Sequence, residues 1–219
     1  MTSLLDIIGA SIIGGMVLLL VLTVTDSGTR EFFNYNVDAI VQANLAHMAH
    51  LTEYDLRKMG FGINESQQGT ILQIANSNRL KFLTQLNMNV DSIPDTIEYN
   101  IVQDEIIDYG DTTLTMYKVF RSVKIAQHSS ENMDIGKIGN SNVFRYLDQI
   151  GEPAEIIQAT KMVEVTLVTY EPRIVLSPEF VTTKLDGIDR ADLRKRELRR
   201  LLRPSFWRQT RLVSKNLRR

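Results

Sequence analysis

The first sixty residues constrain this chain most. Leu4 to Val24 is almost entirely apolar and carries one charge, Asp6. With no proline to interrupt it, the pattern then turns into an amphipathic stripe that runs to Met59, just before Gly60. At about 1.5 Å of rise per residue, the apolar run matches a hydrocarbon core of about 30 Å. A signal peptide would have a basic start, a shorter apolar run and a small-residue cleavage site. No Lys or Arg precedes this run, so the sequence predicts a retained membrane anchor. The charges that follow it, Asp26, Arg30 and Glu31, do not fix its orientation.

Beyond the anchor, Phe33, Val37, Ile40, Val41, Leu45, Met48, Leu51 and Met59 recur at helical spacing. Asn34, Asp38, Gln42, Glu53 and Lys58 occupy the other face. The stripe predicts a stalk helix that packs against a sheet or against neighbouring stalks and stops at Gly60 and Gly62. Asp6 is costly near a bilayer interface unless it reaches water or a positive group. Gly14 and Gly15, with Gly9, permit close approach of a neighbouring helix.

From Thr70 onward β-branched residues accumulate. Strands are predicted at Ile71–Ala75, Leu80–Gln85, Thr96–Val102, Leu114–Val123 and Met162–Tyr170. Asn76–Asn78, and Gly110 with Asp111, read as hairpin turns, and Asn87–Asp95 as a longer connection. Ser129–Asn142 reads as a polar surface loop. Its Asp134, Asn140 and Asn142 fit no calcium loop. Asp104, Glu105 and Asp108 read as an acidic cluster solvating a turn. Asn64-Glu65-Ser66 is a glycosylation sequon to which no role is given.

Charge is unevenly distributed. The 219 residues sum to −1, but residues 186–219 hold twelve Lys/Arg against four acids, a net +8, and the preceding residues carry −9. Asp189–Leu202 reads as a basic helix, with Arg194, Lys195, Arg196, Arg199, Arg200 and Arg203 as its interaction patch. Phe206–Val213 reads as a final strand with Trp207 pointing inward. The patch suits an acidic protein face, nucleic acid or anionic lipid. Nucleic acid is the less favoured partner, because no nucleic-acid fold motif accompanies the patch.

Catalysis finds no support in the residues. There is no P-loop, G-x-S-x-G, H-E-x-x-H or dinucleotide fingerprint. The absence of cysteine removes thiolate chemistry and disulfides. His47 and His50 lie three apart on the stalk, with no neighbouring Cys or third His to complete a zinc site. The third histidine is His128. No catalytic residue, cofactor, metal or small-molecule substrate is expected.

The helix terminus Leu51-Thr52-Glu53-Tyr54-Asp55-Leu56-Arg57-Lys58-Met59-Gly60-Phe61-Gly62 resembles the D-(I/L)-R-x-x-G-(Y/F)-G motif of minor pilins of the PilW type, and of pseudopilin J of type II secretion. Lys161–Leu167 is similar to that family's V-x-V-x-L strand, and Phe206–Leu217 to its closing strand. The resemblance to the type IV pilin and pseudopilin superfamily covers both ends of the chain, while the middle is variable.

The resemblance implies an α+β, pilin-like fold in which a long transmembrane-plus-stalk helix packs on an antiparallel β-sheet. It divides the chain into a membrane segment at 1–25, a stalk at 26–62, a β-rich domain at 63–185 and a basic helix with closing strand at 186–219. It implies a non-enzymatic subunit of a type IV pilus or type II secretion pseudopilus. Such a subunit sits in the inner membrane with its body in the periplasm, beside other pilin-like subunits and the pilus or secretion machinery. Asp55, Arg57, Gly60 and Gly62 would be the helix-end motif. Asp6, Gly14 and Gly15 would serve assembly. With Met1 removed, Asp6 takes the fifth position, where the family's Glu pairs with a neighbour's terminal amine. The sequence departs from the family in showing no recognisable prepilin leader, which a leaderless relative or an upstream start would each explain.

Overall fold

The computed structural model describes residues 2–64, 71–86, 93–109, 113–125, 130–171, 174, 178–188, 190–203, 205–213 and 217. The expected Gly110–Asp111 turn, His128, most of the Asn87–Asp95 connection, the end of the sequon and most of the tail after Val213 lie outside them. The chain divides into two compact units, Met1–Val41 and Gln42–Arg219.

Helix α1 covers Thr2–Arg57. The large apolar side chains described in its first part are exposed, with Leu19 at 65% and Leu20 at 66%. It is long and apolar enough to cross a membrane, with a mean hydropathy of 2.6 in its most apolar window. Four hydroxyls of this part bond back to the carbonyl one turn earlier: Ser11 to Ile7, Thr23 to Leu19, Thr25 to Val21 and Thr29 to Thr25, at 2.8–2.9 Å. Such bonds satisfy a hydroxyl within its own helix, as a water-free surrounding requires.

The second unit holds two antiparallel sheets. The first is a five-stranded meander: β1 (Leu72–Asn76), β2 (Arg79–Thr84), β3 (Asp95–Asp108), β4 (Thr113–Lys124) and β5 (Glu131–Ile138). The second has β6 (Phe144–Leu147), β7 (Met162–Thr169) and β8 (Phe206–Val213), with β7 central. Helices α2 (Pro178–Leu185) and α3 (Ala191–Leu201) lie between β7 and β8 in sequence.

The main core joins α1 to both sheets. Leu45, Met48, Ala49, Leu56 and Met59 of the helix and its exit pack with Phe82, Ile97, Tyr99, Ile101 and Val119 of the first sheet. Phe144, Val163, Val165 and Leu167 come from the second. Burying each large apolar side chain contributes roughly 1.5–3 kcal/mol. The inward stripe therefore starts at Leu45. Phe33 and Ile40, expected to pack against a sheet or neighbouring stalks, are 63% and 58% exposed, and their unit contains no strand to receive them.

A second core lies on the opposite face of the five-stranded sheet. In β4, Val119 belongs to the main core, while Met116 and Leu114 join Ile107, Tyr109, Ile174, Val181, Leu185 and Leu198. Odd and even positions of one strand point to opposite faces. In β3, Ile101 and Ile107 have the same parity yet face opposite cores, and a bulge between them makes that change. Gln103 pairs with Tyr117 and Glu105 with Met116, which leaves Asp104 as the extra residue.

Several expectations need correction. Ser129–Asn142 is not a loop, because Glu131–Ile138 forms edge strand β5. Its polar residues face water, which disguised the strand. Gly136, at φ 144°, lets β5 approach α1: a Cβ there would sit 2.7 Å from the Met48 sulfur. Asp104 and Glu105 lie inside β3, and Asp104 bonds Lys118 of β4 at 2.8 Å and Lys137 of β5 at 2.6 Å. The hydrogen bond from Lys118, then that from Lys137, holds the Asp104 carboxyl below its usual range. Trp207 points outward at 67% exposure, because Phe206 takes the inward position and the strand alternates. Helix α2 and strand β6 had not been anticipated.

Candidate functional site

The helix-end motif is where α1 is fastened to the first sheet. Asp55 is 1% exposed and lies on the inward stripe. Its Oδ2 accepts from Tyr99 Oη at 2.6 Å and from Arg121 Nε at 2.6 Å, and its Oδ1 accepts from Arg121 Nη2 at 3.0 Å. Tyr99 and Arg121 are direct cross-strand partners on β3 and β4. One carboxylate on the helix thus receives two forked guanidinium bonds and a phenol from adjacent strands. Local sequence could not reveal this arrangement, since Asp55 lies 44 and 66 residues from its partners.

The exit from the helix is held as firmly. Gly60 N–H donates to the Leu83 carbonyl at 2.8 Å, Gln85 N–H to the Phe61 carbonyl at 2.9 Å, and the Thr84 hydroxyl to the Lys58 carbonyl at 2.8 Å. Gly60 and Gly62 have φ near 70°, a region that glycine enters without penalty. A Cβ on Gly62 would also approach Gln85 Cβ to 2.7 Å. Arg57 of the motif is exposed and takes no part in the Asp55 cluster. The expected glycine stop is therefore found, and Asp55 is the residue that anchors the helix.

Burial, and then the neighbouring Asp55 carboxylate, push the Tyr99 phenol well above its ordinary value. The sign follows from linkage. A raised folded-state pKa contributes stability that is complete below the unfolded value of about 10 and is lost as pH rises toward the folded value. Tyr99→Phe is therefore expected to lower stability at pH 7 and to flatten its decline above pH 10. Urea unfolding from pH 7 to 11 measures this, and an unchanged slope would count against the cluster.

The stem residues singled out from sequence lie on open surface. Asp6 is exposed, and a Cβ on Gly14 or Gly15 would meet nothing within 4 Å. Asp26 and Arg30 form an exposed i,i+4 pair at 3.0 Å.

Helix α3 carries the basic patch. Leu198, 1% exposed, anchors it in the second core, where the Tyr109 hydroxyl donates to the Ile174 carbonyl at 2.7 Å. Arg194, Lys195, Arg196, Arg199, Arg200 and Arg203 are all exposed, with Arg200 bonded to Glu197 at 3.2 Å. Lys195–Arg199 and Arg196–Arg200 are like-charge i,i+4 pairs, each destabilising by about 0.2–0.5 kcal/mol. An open groove of about 950 Å³ runs along this face, lined by these cations except Arg194, by Asp192 and Glu197, and by Ile188 and Leu193.

His47 and His50 are exposed, and no group of three or more His, Asp or Glu side chains gathers among the described residues. The Asn140 carboxamide is engaged with the backbone of β7, donating to the Thr166 carbonyl at 2.9 Å and accepting from Val168 N–H at 3.0 Å. It ties the connection after β5 to β7, and Asp134 accepts from Gly136 N–H at 3.0 Å. Comparison with known proteins finds no matching family model, no matching characterised protein and no matching solved structure.

Proposed function

We propose that this chain is a membrane-anchored, pilin-like minor subunit that joins or primes a type IV pilus or type II secretion pseudopilus. Its partners in this reading are other pilin-like subunits that pack through the amino-terminal helix. Its stem lies in an inner membrane, its body faces the periplasm, and it performs no catalysis. The observation that supports this reading is the row of exposed large apolar side chains along α1, with Asp6 near its start, in the same helix that Asp55 ties to a sheet. A carboxylate among packed apolar stems loses water and needs a cationic partner. Asp6→Ala is expected to leave the body folded and the chain in the membrane fraction, while recovery of the subunit in sheared filaments is lost. Undiminished recovery would count against the pairing role.

A second reading draws on the exposed cations of α3. In it the chain is a tethered binding module whose basic end contacts DNA, anionic lipid or an acidic protein. DNA binding by the detergent-solubilised chain that falls steeply with salt, and disappears when Arg196 and Arg199 become glutamate, would favour it.

A further inference from the structure

The groove on α3 combines two chemistries. Lys195, Arg196, Arg199, Arg200 and Arg203 outnumber the acids Asp192 and Glu197 in its lining and supply net positive charge, and Ile188 with Leu193 supply an apolar floor. Leu193 is 44% exposed. The surface suits a partner that offers carboxylates interleaved with aliphatic side chains.

The chain presents such a surface itself. The connection between β6 and β7 contains no Lys or Arg from Tyr146 to Thr160. It exposes Glu152 and Glu155 beside Ile150 at 78%, Ile156 at 61% and Ile157 at 39%. The connection is ordered. Asp148 accepts from Ile150 N–H and Glu152 N–H at 2.9 Å, and Ile157–Ala159 closes a short 3-10 turn.

Register sets these two surfaces apart. Leu147 pairs with Met162, so the acidic connection sits at the Met162 end of β7. Ser205 N–H bonds the Thr169 carbonyl, and Phe206 pairs with Thr169, so the end of α3 sits at the other. Seven steps along a strand separate the two ends by roughly 25 Å. The acidic connection cannot fill the groove of its own chain. A second copy can supply it, and a contact between unlike surfaces repeats head to tail.

We propose that the body associates with a second copy of this chain, with the Glu152–Glu155–Ile156 surface of one copy seated in the α3 groove of the next. The contact extends the assembly reading above by naming a partner and a surface. It rests on that reading only for the packing of the stems.

The native chain has no cysteine, so single-cysteine variants report the contact directly. Full-length Glu155→Cys and Arg199→Cys are mixed in detergent micelles at low salt and treated with a short bis-maleimide. A dimer is expected from the mixture, weak product from either alone, and loss of the dimer as salt is raised. In a second arm, Glu152→Arg with Glu155→Arg, and Arg196→Glu with Arg199→Glu, are each expected to weaken association roughly tenfold or more, since like charges then face each other. Mixing the two reversed proteins is expected to restore it, and circular dichroism checks that each is folded. Three results would overturn the contact: a wild-type chain monomeric at low salt, reversed variants that associate normally, or an α3 that binds DNA or anionic vesicles without any cross-link. Filaments that need Asp6 yet give no 155–199 cross-link would sink this contact and leave the stem reading standing. The cross-link without Asp6-dependent filaments would do the reverse.

Discussion

Replacing Arg121 by methionine is expected to cost about 3–5 kcal/mol of unfolding free energy, the range for breaking a buried ion pair by removing one partner. The loss comes mainly from what is left behind. The Asp55 carboxyl would be left with side-chain exposure of 1% and, among the described residues, the Tyr99 hydroxyl as its hydrogen-bond partner. Asp55→Ala is expected to cost less, because the Arg121 side chain is already 17% exposed and its guanidinium can find water. The double replacement Asp55→Leu with Arg121→Met is expected to lose less than the two single losses added. Apolar groups of similar volume often substitute for a buried pair at little cost. Urea unfolding of the detergent-solubilised chain, followed by circular dichroism, measures the cycle. Additive losses would show that the two residues act separately and would remove the account of Asp55 as the fastening of α1.

The second large effect concerns the stem. Ile13→Arg together with Val17→Arg places two guanidinium groups near the middle of the apolar run. Each arginine at the centre of a membrane helix costs about 2.5–3.5 kcal/mol for insertion. The pair is expected to move the chain from the carbonate-resistant membrane pellet to the supernatant, while the body keeps its circular dichroism spectrum. Both positions are exposed, Ile13 at 65% and Val17 at 55%, so no packing within this chain confounds the result. Full retention in the pellet would mean that something other than this run holds the chain to the membrane.

The strands that sequence alone revealed were those with a strong local signal. Apolar alternation located β2, β4, β7 and β8 to within a residue or two, and Asn76–Asn78 gave the turn between β1 and β2. The basic helix was equally legible, since its charges stand on one periodic segment. The failures share a physical cause. Strand β5 is an edge strand with a polar outer face, so it carries half the apolar signal of a central strand. The length of β3 was hidden because Val102–Ile106 is exposed and the bulge breaks its alternation. Trp207 was misplaced because residue type outweighed parity, and the period of two, fixed by Phe206, decides which side chain faces in.

The site was half legible. Asp55, Gly60 and Gly62 could be picked out as a motif, and two of those three roles rest on backbone geometry that glycine alone accommodates easily. Tyr99 and Arg121 could not be found, because a cross-strand pair is created by register and register is not written in either strand alone. The acidic connection between β6 and β7 was missed for a different reason. Its meaning depends on the distance to α3, which exists only once β7 separates them.

The extra residue in β3 has a reach far beyond its own strand. Ile101 and Ile107 share parity, yet the first faces the main core and the second faces the other. Were β3 to run past Asp104 in regular register, Ile107 would turn to the side of Ile101, and Leu114 across the hairpin would lose it as a same-face partner. Helices α2 and α3 would then pack on a floor missing one of its buried side chains. The ground beneath the most basic helix thus depends in part on a one-residue step in register, taken at an acid that two lysines hold.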